Sequence, residues 1–233
     1  MNNGNTEFDR YARQYDEDLN KGLILTGESK EYYIKGRISW LSLKLRETGC
    51  SPTNALDYGC GTGASCISLL KILNLAEVAG VDVSRDSIEE ARRLYGSDNV
   101  DFFEYGEFCP GEQFDLVYCN GVFHHVPEDD RPEAVKTVYN SLKKNGIFCF
   151  WENNPWNPGT RICMSRVPFD RDAVMLSPSK AASLLTSNGF NVKSISYMFI
   201  FPGFLGAFRP LEPLLSRWPL GGQYMIIGEK AVE

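Results

Sequence analysis

The chain of 233 residues is 43% hydrophobic and 23% charged, which predicts a packed core and excludes global disorder. A net charge of −6 argues against a nucleic-acid surface, which needs a basic footprint. The most apolar run, Met198 to Phe208, is about half the length needed to cross a bilayer and contains Pro202, so no membrane span is expected.

The first residues, "MNNGNTEFDRYARQYDED", lack a basic-then-apolar leader pattern, and the expectation is a soluble, cytoplasmic protein. Seven cysteines fall at 50, 60, 66, 109, 119, 149 and 163, with no CxxC pair. They read as small buried hydrophobes in a reducing compartment. Neither a metal site nor a disulfide framework is expected. There is no internal repeat.

Thr6-Glu7-Phe8-Asp9 has the form of a helix start, and Phe8, Tyr11 and Tyr15 then share one helical face. A second helix is predicted from about Lys30 to Glu47, with Gly49 as its stop. From Thr53 strands and helices alternate. The predicted strands are Asn54–Tyr58, Glu77–Asp82, Val100–Glu104, Phe114–Cys119, Ile147–Trp151, Val192–Phe201 and Tyr224–Glu229. The predicted helices among them are Gly63–Leu73, Arg85–Tyr95 (capped by Ser84), Arg131–Lys143 and one that starts at Ser177-Pro178. Asn145-Gly146 reads as a turn before the fifth strand. Such alternation predicts an α/β fold with a mostly parallel sheet and helices on both faces. Ligands then bind at the carboxyl ends of the strands, where strand order reverses.

"ALDYGCGTGAS" places three glycines at alternate positions at the end of the first strand. Glycine permits positive φ and close ligand approach, and the following helix offers free N–H groups. Two ligands compete for this turn. Gly59, Gly61 and Ala64 satisfy the nicotinamide fingerprint, with Asp82 23 positions after Gly59 as a ribose acceptor. That pattern does not separate NAD from another adenosine ligand.

The run Asp57-Tyr58-Gly59-Cys60-Gly61-Thr62-Gly63 resembles the first motif of the class I S-adenosylmethionine-dependent methyltransferases, an acid followed by G-x-G-x-G. "GVDVS" with Asp82, "FDLVYCNGVFHHV", "LKKNGIFCF" and two closing strands are similar to further features of small-molecule members. The resemblance covers about residues 50–233. It implies a Rossmann-like seven-stranded sheet with an antiparallel terminal hairpin, in a single domain over 1–233. Within it, 1–49 would be a helical cap, 50–152 the cofactor half, and 153–233 the substrate half with an insertion at about 202–222. The implied cofactor is S-adenosyl-L-methionine, leaving as S-adenosyl-L-homocysteine. Gly59, Cys60, Gly61 and Gly63 would pass close to it. Asp57 would attract its amino group, Asp82 with Val83 would hold the ribose, and the backbone near Asn120 would face the methionine part. Glu107 is placed at the adenine, with Glu104 as its rival. Tyr11 and Tyr15 resemble aromatics that close over the cofactor, and simple core docking is the other reading.

His124 and His125, the only two histidines, follow the fourth strand at the ligand edge. An imidazole there can act as a base, with His125 slightly ahead, or can serve the backbone. "WENNPWNPGTR" reads as a structured loop. Its Glu152, Asn153, Asn154 and Trp156, with Arg161, offer contacts to a polar ring such as a sugar, or satisfy the loop's own backbone. Arg161, Arg166 and Arg171 favour an anionic group on the substrate, whereas Asp170 and Asp172 flank Arg171 and can simply pair with it. The apolar insertion suits core packing or a homodimer contact, and equally a hydrophobic acceptor or a peripheral membrane surface. The expected activity is methyl transfer to a small-molecule acceptor, sugar-containing or lipid-linked, with O-methylation favoured and no nucleic-acid partner. The alternatives are an NAD-dependent oxidoreductase and a non-catalytic protein that kept the fold.

Overall fold

Strand β1, Asn54–Tyr58, is buried along its whole length, as a strand covered on both faces must be. It pairs in parallel with β2 (Glu77–Asp82) on one side and β4 (Phe114–Asn120) on the other. The parallel sheet continues to β3 (Val100–Glu104) beyond β2 and to β5 (Leu142–Asn153) beyond β4. A strand at Gln223–Lys230, β7, lies antiparallel between β5 and β6 (Phe190–Met198). The order is β3-β2-β1-β4-β5-β7-β6. This computed structural model describes residues 23, 26–167 and 173–231.

The expected seven-stranded sheet with an antiparallel terminal hairpin is therefore present. The nicotinamide order 3-2-1-4-5-6 has no strand inserted between its fifth and sixth. Strand order reverses between β1 and β4, so the carboxyl ends of those two strands open the crevice where a ligand fits.

Helices α1 (Lys30–Thr48), α2 (Ala64–Leu73) and α3 (Arg85–Tyr95) cover one face. They bury Ile34, Ile38, Leu41, Leu69 and Ile88 against Tyr118, Cys149 and Trp151. On the other face α4 (Arg131–Ser141) buries Val135 and Val138 against Leu56, Phe148 and Phe150. Phe148 and Phe150 thus point opposite to Cys149 and Trp151, the two-residue alternation of a strand. Helix α5 (Pro158–Arg166) follows β5, and α6 (Pro178–Ser187) adds Ala181 and Leu185 to the α4 face.

Of the boundaries that differ from the sequence expectation, four have a visible structural reason. Helix α4 stops at Ser141, because Leu142 already pairs with Phe114 as the first residue of β5. Asn145, expected in a turn, is left-handed (φ 60°) inside a bulge of β5. The loop expected at 151–161 is instead the end of β5 and the start of α5, where the Asn157 side chain accepts from Thr160 N at 3.0 Å with Pro158 in the first turn. Strand β6 begins at Phe190 and ends at Met198 rather than running to Phe201, since Phe199 has φ 62° and the next two residues leave the sheet. The insertion holds a 3-10 segment, Gly203–Leu211, and a short helix, α7, at Glu212–Leu215. Among the described residues no helix is long and apolar enough to cross a membrane.

Candidate active site

The carboxyl ends of β1, β2, β4 and β5 bring Asp57, Asp82, Asn120 and Asn153 to one edge of the sheet. The turn after β1 is tied down by the protein itself. Gly59 N and Cys60 N both donate to Val81 O, at 2.8 and 3.0 Å. Gly61 N donates to Asp82 Oδ2 at 2.8 Å, and Ser84 N to Asp82 Oδ1 at 2.9 Å. Asp82 therefore holds the glycine turn and the start of α3 in one geometry.

The three glycines do different work. A side chain on Gly59 would collide with Val122, and one on Gly63 would meet the Phe102 ring at 2.7 Å. Both are packing positions. Gly61 (φ 52°) faces open space, with nothing within 4 Å of where its Cβ would lie. It leaves a cradle for a ligand over the N-terminal end of α2. Val83 beside it is 53% exposed. Glu107 pairs with Arg92 at 3.5 Å and its rival Glu104 with Arg85 at 3.6 Å.

Asp57 is buried, and burial lifts its carboxyl from the ordinary range to about 7; Cys66 Sγ donates to it at 3.5 Å, and Arg37 draws it down while Asp82 pushes it up. Asn120 Oδ1 is buried without a hydrogen-bond partner among the described residues. Buried acceptors are rarely left so, and this one points to a donor from a ligand.

A cavity of about 340 Å³ opens beside Asn120 and Gly121. Tyr33, Arg37, His124, His125, Asn153, Thr160, Met164, Phe199 and Gln223 are among its lining. Glu152, Asn154, Trp156 and Arg161 are not. Glu152 is 1% exposed beneath the wall, where it accepts from Phe123 N at 2.9 Å and His124 N at 3.3 Å. Its other oxygen lies 2.7 Å from His124 Nδ1. Because Glu152 already accepts from backbone N–H groups, the His124 ring donates to it from Nδ1. His125 packs on His124, ring centroids 4.1 Å apart. Asn154 Nδ2 donates to Pro219 O and Gly221 O, tying β5 to the insertion. Trp156 is 53% exposed and Arg161 faces solvent from α5. Tyr11, Tyr15 and Arg171 lie outside the described residues.

Sequence reasoning missed Arg37, Tyr33, Phe199 and Gln223. Arg37 did leave a signal, since it interrupts the apolar face made by Ile34, Ile38, Leu41 and Leu45 and is buried there. Phe199 left none. Its ring reaches the cavity only because Gly36 makes room, a Cβ at Gly36 lying 2.8 Å from Phe199 Cε1.

Residues 55–146 match a family described as a methyltransferase domain. The chain is 29% identical over 119 residues to trans-aconitate 2-methyltransferase of an Enterobacter species, covering 51% of this chain and 46% of that protein. It is 30% identical over 156 residues to carboxy-S-adenosyl-L-methionine synthase of Campylobacter fetus, covering 63% of this chain and 61% of the relative. The chain thus spans about half to three fifths of these relatives' lengths. In fold it is similar to a Haloferax volcanii methyltransferase solved in complex with the Trm112 methyltransferase activator, with a TM-score of 0.67 and 15% identity over 98% of this chain and 100% of the other. Residues 55–146 thus match a methyltransferase domain, the sheet is of the Rossmann-like kind, and S-adenosylmethionine is the cofactor that such a domain implies. The open cradle at Gly61 and the unpaired Asn120 Oδ1 fit that cofactor.

Proposed function

We propose that the protein transfers the methyl group of S-adenosylmethionine to a hydroxyl of a small-molecule acceptor held in the cavity beside Asn120. The observation that carries this reading is the unpaired Asn120 Oδ1, at the switch point of the sheet and on the wall of a cavity that also contains an oriented histidine. Bound over the glycine turn, the cofactor supplies an electrophilic methyl carbon on a sulfonium. The protein's part is to place the acceptor oxygen in line with that carbon. His124, oriented by Glu152, would take up the proton that the acceptor hydroxyl loses on methylation. Glu152 orients the His124 ring at 2.7 Å, which makes His124 rather than His125 the leading base.

The acceptor we favour is sugar-containing or lipid-linked. Asn153, Asn157, Thr160 and Gln223 give the cavity a polar wall suited to a sugar. Phe204 lines the cavity and is 80% exposed, and Leu214 and Trp218 on the same insertion are 77% and 64% exposed. Such a rim suits an apolar carrier lying across the mouth. The test is turnover of labelled cofactor against a panel of hydroxylated acceptors, free and lipid-linked. Label should move to an oxygen of the acceptor. Transfer only to amines, or hydrolysis with no acceptor dependence, would remove O-methylation.

A further inference from the structure

The cavity is lined by the cations Lys30 and Arg37, and by no aspartate or glutamate among the described residues. In a chain of net charge −6 this is a local reversal. Arg37 is the centre of it. The residue is only 6% exposed, and its guanidinium meets two neutral oxygens, Tyr118 Oη from Nε at 3.1 Å and Gln223 Oε1 from Nη1 at 3.0 Å. Among the described residues no carboxylate lies within ion-pair distance of it. A guanidinium has five N–H donors, and two are used here. Burying a cation costs several kcal/mol in general, and the carboxyl that senses Arg37, Asp57, makes no ion pair with it, so a ligand carboxylate suits the free donors.

The two partners also fix its aim. Gln223 Nε2 donates to Asn153 Oδ1 at 3.0 Å, which holds the amide with its oxygen toward Arg37. Tyr118 is fully buried in β4, in register with Asp57. The guanidinium fork is thus held at the back of the cavity before any ligand arrives, the arrangement that suits planar, two-point recognition of a carboxylate.

We propose that Arg37 is the receptor for a carboxylate of the acceptor, so that the acceptor class is a hydroxylated carboxylic acid. This rests on the methyl-transfer reading above and adds the acidic group to it. A carboxylate could also come from the methionine part of the cofactor, and the experiment separates the two sources.

Calorimetry should compare S-adenosylhomocysteine with its decarboxylated analogue on the wild type and on Arg37→Gln. Succinate and neutral succinamide should then be titrated into the homocysteine complex. The expected result is S-adenosylhomocysteine affinity unchanged within about twofold in Arg37→Gln, with succinate binding the wild-type complex and weakened about tenfold or more by the substitution. Succinamide should bind neither. If Arg37→Gln loses as much affinity for S-adenosylhomocysteine as decarboxylation costs the wild type, the arginine serves the cofactor and the proposal is overturned. Equal behaviour of succinate and succinamide on the wild-type complex also overturns it. Should Arg37→Gln fail to fold, Arg37→Lys keeps the charge without the fork and should weaken succinate alone. Failure of S-adenosylhomocysteine to bind the wild type would instead remove the cofactor reading, a distinct result.

Discussion

Asn120 and Asp57 sit on paired strands, Asp57 opposite Tyr118 and so two positions from Asn120, and their environments set opposite tests. Asn120 Oδ1 has no partner to lose, so Asn120→Ala should leave thermal stability nearly unchanged. It should weaken S-adenosylhomocysteine by about tenfold, the worth of one good hydrogen bond. A calorimetric titration of the variant beside a melting curve checks both halves. Asp57 is a buried acid whose pKa rises on folding from the carboxylate range to about 7. Between these values the folded chain holds a proton that the unfolded chain has released. Stability contributed by the neutral carboxyl is therefore present below the unfolded pKa and lost as pH rises through about 7. Asp57→Asn should raise the melting temperature at pH 8 and change it little at pH 5, while lowering affinity for the cofactor. Equal effects at the two pH values would mean that Asp57 stays ionised in the fold. At Glu152, which accepts from Phe123 N and His124 N as well as facing His124 Nδ1, Glu152→Gln keeps the shape but not the acceptor set. Turnover with saturating cofactor should fall about a hundredfold with S-adenosylhomocysteine affinity unchanged. An unaltered kcat would take the pair out of the mechanism.

At the scale of elements, the segment after β6 is held by one side chain. Glu212 is buried and accepts from Phe199 N, Ile200 N and Phe201 N at 3.1, 3.1 and 3.0 Å. This carboxylate maintains the left-handed Phe199 and keeps its ring over Tyr33, centroids 4.8 Å apart. Glu212→Ala leaves three donors without that partner and should cost on the order of 3 kcal/mol in chemical denaturation. A loss under 1 kcal/mol would show that water replaces the carboxylate. The same segment explains where the sequence was legible. Strands β1, β2 and β3 and helix α3 have the predicted limits, because apolar runs and a Ser cap mark them locally. The end of β6 and the bulge in β5 depend on partners many residues away, Glu212 and Phe114, which no local pattern shows. Asn157 shows the opposite case: its cap and the following proline are local signals of a helix start, which the other proline and the asparagines of the stretch mask as loop signals. At the site, the glycine turn and both histidines were legible, whereas the roles of Gly59 and Gly63 as packing positions depend on Val122 and Phe102.

For the whole molecule, the sheet order joins two regions that composition alone could not relate. One is the glycine turn with Asp82, and the other is the cavity between α1, α5 and the insertion. Asn120 and Gly121, at the end of β4 beside the turn, line that cavity, so under the proposed function a cofactor on the first would present its reactive end to the second. The insertion extends this arrangement outward, with Phe204 at the cavity and Leu214 and Trp218 in solvent. If its apolar face meets a lipid surface, Leu214→Ser with Trp218→Ser should abolish co-sedimentation with anionic and neutral liposomes while leaving S-adenosylhomocysteine binding intact. No liposome binding by the wild type would leave the insertion to protein packing.

Calorimetric titration of the purified protein with S-adenosylhomocysteine, with NADH as the control, tests the cofactor most directly. Micromolar binding of S-adenosylhomocysteine and none of NADH is the result expected. Binding of NADH alone, or of neither, would contradict it and leave only the fold in place.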